Sequence, residues 1–272
     1  MVNYREKAYP TILQSIHLVV LYIFIQTLVD FPLALMDYYR DTEWLYNPVK
    51  KIVLGVGSVL FILWYGYKKT GNPLQEVFPL KRYNPLIPIL LILFFLGIQQ
   101  WLTVINGFVE ALLPPPSWFY ELFDKVFESD FGFWGAFLKV VIIAPVVEES
   151  IFRGVIMHGL MRNYREGTAI FFSGLLFALF HLNPWQFPAT FVLGILLGWI
   201  MIRTQNLGLC MVGHAMNNLL VLLSITFAKQ ISESPLSQLS VPAVLSVALG
   251  LVVVSLLLIR FVTERTGEFR KM

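Results

Sequence analysis

Along this chain, apolar runs close to the length of a bilayer crossing alternate with short polar connections. A run of about 20 apolar residues reads as a transmembrane helix. The pattern predicts eight of them: Thr11–Met36, Ile52–Tyr67, Pro85–Thr103, Phe133–Met161, Thr168–Asn183, Phe187–Ile202, Leu207–Ala228 and Val241–Val262. The second and fifth are short. Lys50, Lys51, Lys68 and Lys69 can snorkel to the interface and extend the second. Between the third and fourth runs lies PPPSWFYELFDKVF. Pro114–Pro116 stop a helix. Beyond them Trp118, Phe119, Leu122, Phe123, Val126 and Phe127 recur at spacings of one, three and four, the pattern of an amphipathic helix lying in the interface plane as an anchor. No internal repeat, low-complexity tract or soluble domain interrupts this order. The expected fold class is all-α: a polytopic membrane helix bundle of about eight transmembrane helices plus one interfacial amphipathic helix. It forms a single membrane domain over residues 1–272.

Composition agrees with the pattern. The chain is 57% hydrophobic and 14% charged, against about 25% charged in a soluble domain. The bilayer is the expected environment, and nothing marks a nucleic-acid partner. The net charge of +3 matters less than its distribution. Lys68, Lys69, Lys81, Arg82, Arg162, Arg165, Arg203, Arg265, Arg270 and Lys271 fall on one side with Arg5 and Lys7. Glu121, Asp124, Glu128 and Asp130 surround the single Lys125 on the other. Both termini are therefore expected in the cytoplasm, although Arg40, Lys50 and Lys51 in the first loop argue weakly the other way. MVNYREKAYP leads into the first run without a small-residue cleavage site, so that run reads as a retained helix. A multi-pass protein of a bacterial plasma membrane is the expected setting. The lone Cys210 excludes a disulfide framework and reads as a small apolar filler.

The exception to the apolar pattern is VVEESIFRG, which puts Glu148, Glu149 and Arg153 inside a predicted span. A charge at the bilayer centre costs about 2.5–3.5 kcal/mol on insertion scales, so these groups should face protein or trapped water. Glu149 and Arg153, four apart, share a helix face, and the guanidinium can hold that carboxylate. Glu148 is turned about 100° away. Pro145 can kink the helix and widen a cavity beside the pair. Phe177 and His181 are four apart on one helix, His214 and Asn218 on another, with Asn217 the competitor for Asn218. At 1.5 Å per residue, Glu149 lies about 20 Å from Arg162 and His181 about 20 Å from Thr168. His214 and Asn218 lie about 12 and 18 Å from Asn206, at the same cytoplasmic edge. A single His or Asn at such a depth is an ordinary interhelical hydrogen bond. Six such groups at one level point to a shared aqueous pocket. His17, His158, Asp30 and Lys139 read as boundary or structural residues. The helices within 1–116 hold few polar residues, Gln99 and Gln100 among them, and read as accessory to a core at 131–228, with 241–262 as the last crossing.

This set lacks a nucleophile. Ser150 and Ser173 sit in no elbow or Ser/Lys pattern, and deep burial works against a Cys210 thiolate. A carboxylate with an imidazole suits general-base activation of water. A second imidazole and an amide suit a developing oxyanion. Two His and a Glu also make a catalytic zinc set, so a zinc-dependent version of the same hydrolysis is the alternative, without the usual local spacing. A non-catalytic immunity or peptide-binding protein and a small proton-coupled transporter are the readings from other classes.

Glu148-Glu149-x-x-x-Arg153, Phe177-x-x-x-His181 and His214-x-x-x-Asn218, in that order, resemble the three motifs of the CAAX protease and bacteriocin-processing (CPBP, or Abi) family, which includes the type II CAAX prenyl endopeptidases. The resemblance covers roughly Phe133 to Ala228. It implies an eight-helix intramembrane glutamate endopeptidase needing no metal cofactor. In that picture Glu148 is the general base and His181 helps position the water. His214 and Asn218 stabilise the oxyanion, and Glu149 and Arg153 form a structural pair with Phe177 beside them. The implied partner is a peptide or protein substrate at or in the membrane, whose identity and prenylation the motifs leave open.

Overall fold

The computed structural model describes residues 7–42, 48–117, 119 and 132–265. Eight long helices account for nearly all of them: α1 Ile12–Arg40, α2 Pro48–Thr70, α3 Leu86–Leu112, α4 over 132–163, α5 Glu166–Phe180, α6 Phe187–Thr204, α7 Leu207–Thr226 and α8 Val241–Arg265. Among the described residues there is no strand, only an isolated bridge between Leu80 and Asn206. Five helices, α1, α3, α6, α7 and α8, are long and apolar enough to cross a bilayer. The chain is an all-α polytopic membrane bundle. The predicted interfacial helix, from Ser117 to Phe127, lies largely outside the described residues.

The helices begin and stop for local reasons. Thr11 caps α1 through a reciprocal pair with Gln14. Asn206 caps α7 by accepting from the Leu209 N–H. α3 runs nine residues past its predicted end, because its apolar pattern meets no breaker before Pro114. The opposite happens in α5, which stops at Phe180 rather than Asn183. Leu182 takes a positive φ of 50°. Asn183 precedes a proline, which disfavours helix, and its side chain accepts from the backbone N–H groups of Trp185 and Gln186 instead. At 1.5 Å per residue α5 is only about 22 Å long, too short for a full crossing.

Helices α3 and α8 pack closely, as do α5 and α6. Each contact relies on glycine. A Cβ on Gly97 would stand 2.6 Å from the Ala248 carbonyl, and one on Gly194 would stand 2.7 Å from Gly174 Cα. Small residues at such crossings let backbones approach, which is how helices gain packing energy where lipid supplies no hydrophobic drive. The core gathers Leu18, Tyr22, Leu91, Phe95, Phe152, Phe177 and Leu197, with α4 running through its middle.

α4 is not a uniform α-helix. Two π-helical stretches, Phe137–Ile143 and Ser150–Ile156, flank an α-helical turn, Ala144–Glu149. In a π-helix the N–H groups reach carbonyls five residues back, and such widened turns concentrate at functional sites. The Ala144 N–H keeps that register by bonding the Lys139 carbonyl. The next residue, Pro145, has no N–H to give. The Val140 carbonyl, five residues before it, is left to another partner.

Candidate active site

The two neighbouring carboxylates of α4 have separate environments. Glu149 is fully buried, as is Arg153. The Arg153 Nη1 donates to Glu149 Oε1 at 3.0 Å, and Nη2 donates to the Gly194 carbonyl at 3.0 Å. The Gly174–Gly194 crossing brings that carbonyl within reach. The guanidinium carbon lies 4.6 Å from the centre of the Phe177 ring, a cation–π contact. His214 Nδ1 lies 2.9 Å from the same Glu149 oxygen and, facing a carboxylate, acts as donor. Glu149 thus holds one residue of its own helix and one of α7.

Glu148 turns toward α5. Its Oε2 lies 3.9 Å from His181 Nε2, with the side chains 16% and 22% exposed. That is too long for a direct hydrogen bond, and Oε2 has no other hydrogen-bond partner. His181 sits at the C-cap of α5 rather than inside a helix. Its Nδ1 lies 2.9 Å from the Phe177 carbonyl. A carbonyl only accepts, so Nδ1 carries the proton and Nε2 faces Glu148.

Phe177 joins the two halves. Its ring centre is 5.0 Å from that of His181 and 5.5 Å from that of His214, so the two imidazoles flank one phenyl ring. Asn218, one turn beyond His214, donates through Nδ2 to the Val140 carbonyl at 2.9 Å, the group that Pro145 leaves unpaired. Asn217 donates to Asn218 Oδ1 at 3.1 Å and accepts from Gln99 Nε2 at 2.9 Å.

Glu148 also lines a groove of about 440 Å³ between α1, α2 and α4. Its walls are mainly apolar, with Val56, Val59 and Leu60 on α2 and Val147 on α4. Tyr22, Gln26 and Lys139 add polar groups. The sequence offered no periodic signal for Tyr22 and Gln26 as part of this site. Gln99 was visible only as a polar residue in an apolar run.

Other sequence candidates lie elsewhere. Ser150 donates to the Val146 carbonyl and Ser173 to the Phe152 carbonyl. Cys210 is fully buried with Sγ 3.5 Å from the Leu197 carbonyl. His17 is exposed, and His158 places Nδ1 3.0 Å from the Glu76 carbonyl. Among the described residues no three His, Cys, Asp or Glu side chains form a group that could hold a metal ion.

Residues 130–220 match the family model described as type II CAAX prenyl endopeptidase Rce1-like. No curated protein and no solved structure matches the chain.

Proposed function

We infer that this chain, placed in the CAAX protease family by residues 130–220 and therefore a membrane peptidase, cleaves its substrate by glutamate-activated water. Substrate enters the bundle beside Glu148. One observation carries this reading. Of two consecutive carboxylates, Glu149 is fully buried with its Oε1 held by both Arg153 and His214, while Glu148 lines a groove with His181 3.9 Å away.

A 3.9 Å gap between two polar atoms suits a bridging water. With Nδ1 protonated, neutral His181 offers the Nε2 lone pair to one water proton, and Glu148 takes the other. The water oxygen then attacks the peptide carbonyl, and its proton passes to Glu148. The oxyanion that forms is met by the second N–H of the Asn218 amide and by His214 Nε2. Because Nδ1 already donates to Glu149, that nitrogen can donate only when both ring nitrogens carry a proton. The C–N bond breaks as Glu148 hands the proton to the leaving amine, giving a carboxylic acid and an amine. No metal step enters this scheme. The apolar groove between α1, α2 and α4 accepts an extended segment from the membrane, where Tyr22 and Gln26 offer hydrogen bonds to its backbone. The Lys and Arg distribution favours both termini in the cytoplasm.

The test is to map new peptide termini in membranes that carry the wild-type chain or Glu148→Gln. Termini found only with the wild type support the reading and name the substrate. The same termini in both samples would remove Glu148 from the chemistry.

A further inference from the structure

We propose that Gln99 and Asn217 are positioning residues that set the direction and strength of the Asn218 amide as a donor to the reacting carbonyl. This rests on the reading of Asn218 given above. Three side-chain amides on two helices form one chain: Gln99 Nε2 to Asn217 Oδ1 at 2.9 Å, Asn217 Nδ2 to Asn218 Oδ1 at 3.1 Å, and Asn218 Nδ2 to the Val140 carbonyl at 2.9 Å.

The polarity of this chain is dictated from its end. A backbone carbonyl only accepts, so Asn218 must turn its NH₂ toward Val140 and its Oδ1 away. That oxygen then requires a donor, which Asn217 supplies with its own NH₂. Asn217 Oδ1 in turn requires a donor, and Gln99 supplies it. Pro145 starts the sequence, because a residue with an N–H at that position would compete for the Val140 carbonyl in π-helical register. The arrangement leaves the second N–H of Asn218 uncommitted. Hydrogen bonds in series polarise one another. An amide that accepts at its oxygen carries more positive charge on its N–H groups, so donation from Gln99 through Asn217 strengthens the remaining Asn218 N–H. Gln99 and Asn217 are each half-buried, whereas the neighbouring Gln100 is exposed. α3 thereby reaches the chemistry without touching substrate.

The test is a double-mutant cycle on a farnesylated CAAX peptide in detergent, with thermal unfolding to confirm the fold. Gln99→Leu is expected to lower kcat about tenfold with KM unchanged, a part of the larger loss seen when an oxyanion donor is removed outright. Gln99→Glu, which presents an acceptor to Asn217 Oδ1, is expected to lose more than Gln99→Leu. In an Asn218→Ala background, Gln99→Leu is expected to have no further effect on kcat. An unchanged kcat in Gln99→Leu, or an equal loss with and without Asn218, would overturn the inference while leaving the catalytic reading intact. If Asn218→Ala itself keeps wild-type kcat on this peptide, the underlying reading fails instead.

Discussion

The buried cluster around Glu149 and the groove-side pair of Glu148 and His181 are built from adjacent residues of α4, yet they obey different physics. Glu149 and Arg153 have no solvent exposure. A buried charge persists only when it is paired and hydrogen-bonded, and Arg153, His214 and the Gly194 carbonyl supply those partners. Glu148 is slightly exposed, lines the groove and has His181 3.9 Å away rather than in direct contact. A carboxylate locked in a dry ion pair is a poor base, because taking up a proton breaks the pair. One left beside a groove can bind water and take its proton. The contrast supports the proposed division, in which the more buried carboxylate is the structural one.

Four substitutions probe this contrast. Glu148→Gln is expected to reduce cleavage by about 10²–10⁴-fold, the usual contribution of a general base. Thermal unfolding in detergent should barely change, since no buried partner is stranded. Asn218→Ala is expected to cost about 10²–10³-fold in kcat with KM little altered, as loss of an oxyanion donor does. Arg153→Ala is expected to cost about 3–5 kcal/mol of stability, because it leaves Glu149 buried without its cation. A thermal or denaturant unfolding series would show it. Gly55→Phe is the mildest. No atom lies within 4 Å of a Cβ added there, so the fold should tolerate it. The side chain would enter the groove that Gly55 lines and raise KM several-fold at unchanged kcat. A fall in kcat instead would show that the groove is not the substrate's path.

Much of this was legible in the sequence because it is local. Helices announce themselves by apolar length, and the Glu149–Arg153 pair follows from spacing on one helix. The order of the three motifs and the common depth of their residues were readable in the same way. Other features depend on partners distant in sequence. The Gly194 carbonyl reaches Arg153 only because α5 and α6 meet at two glycines. The bond from His214 to Glu149 joins residues 65 apart, and no pattern along either helix specifies it. The early end of α5 was readable in part, since Asn183 before Pro184 is a helix breaker. Its consequence, an imidazole at a helix end within the bundle, was not. The π-helical turns of α4 have no sequence signature beyond Pro145, which marks where the first π-helical register ends. Gln99 stood out as a polar residue in an apolar run, but only three-dimensional packing connects it to Asn217.

The central claim is that Glu148 and Glu149 divide into a reacting group and a structural one. It is tested most directly by comparing Glu148→Gln with Glu149→Gln, each measured for membrane-peptide termini released and for thermal unfolding in detergent. The account predicts that Glu148→Gln unfolds like the wild type and releases none of the wild-type termini, while Glu149→Gln unfolds at a distinctly lower temperature. A folded Glu148→Gln chain that releases the full wild-type set would contradict it.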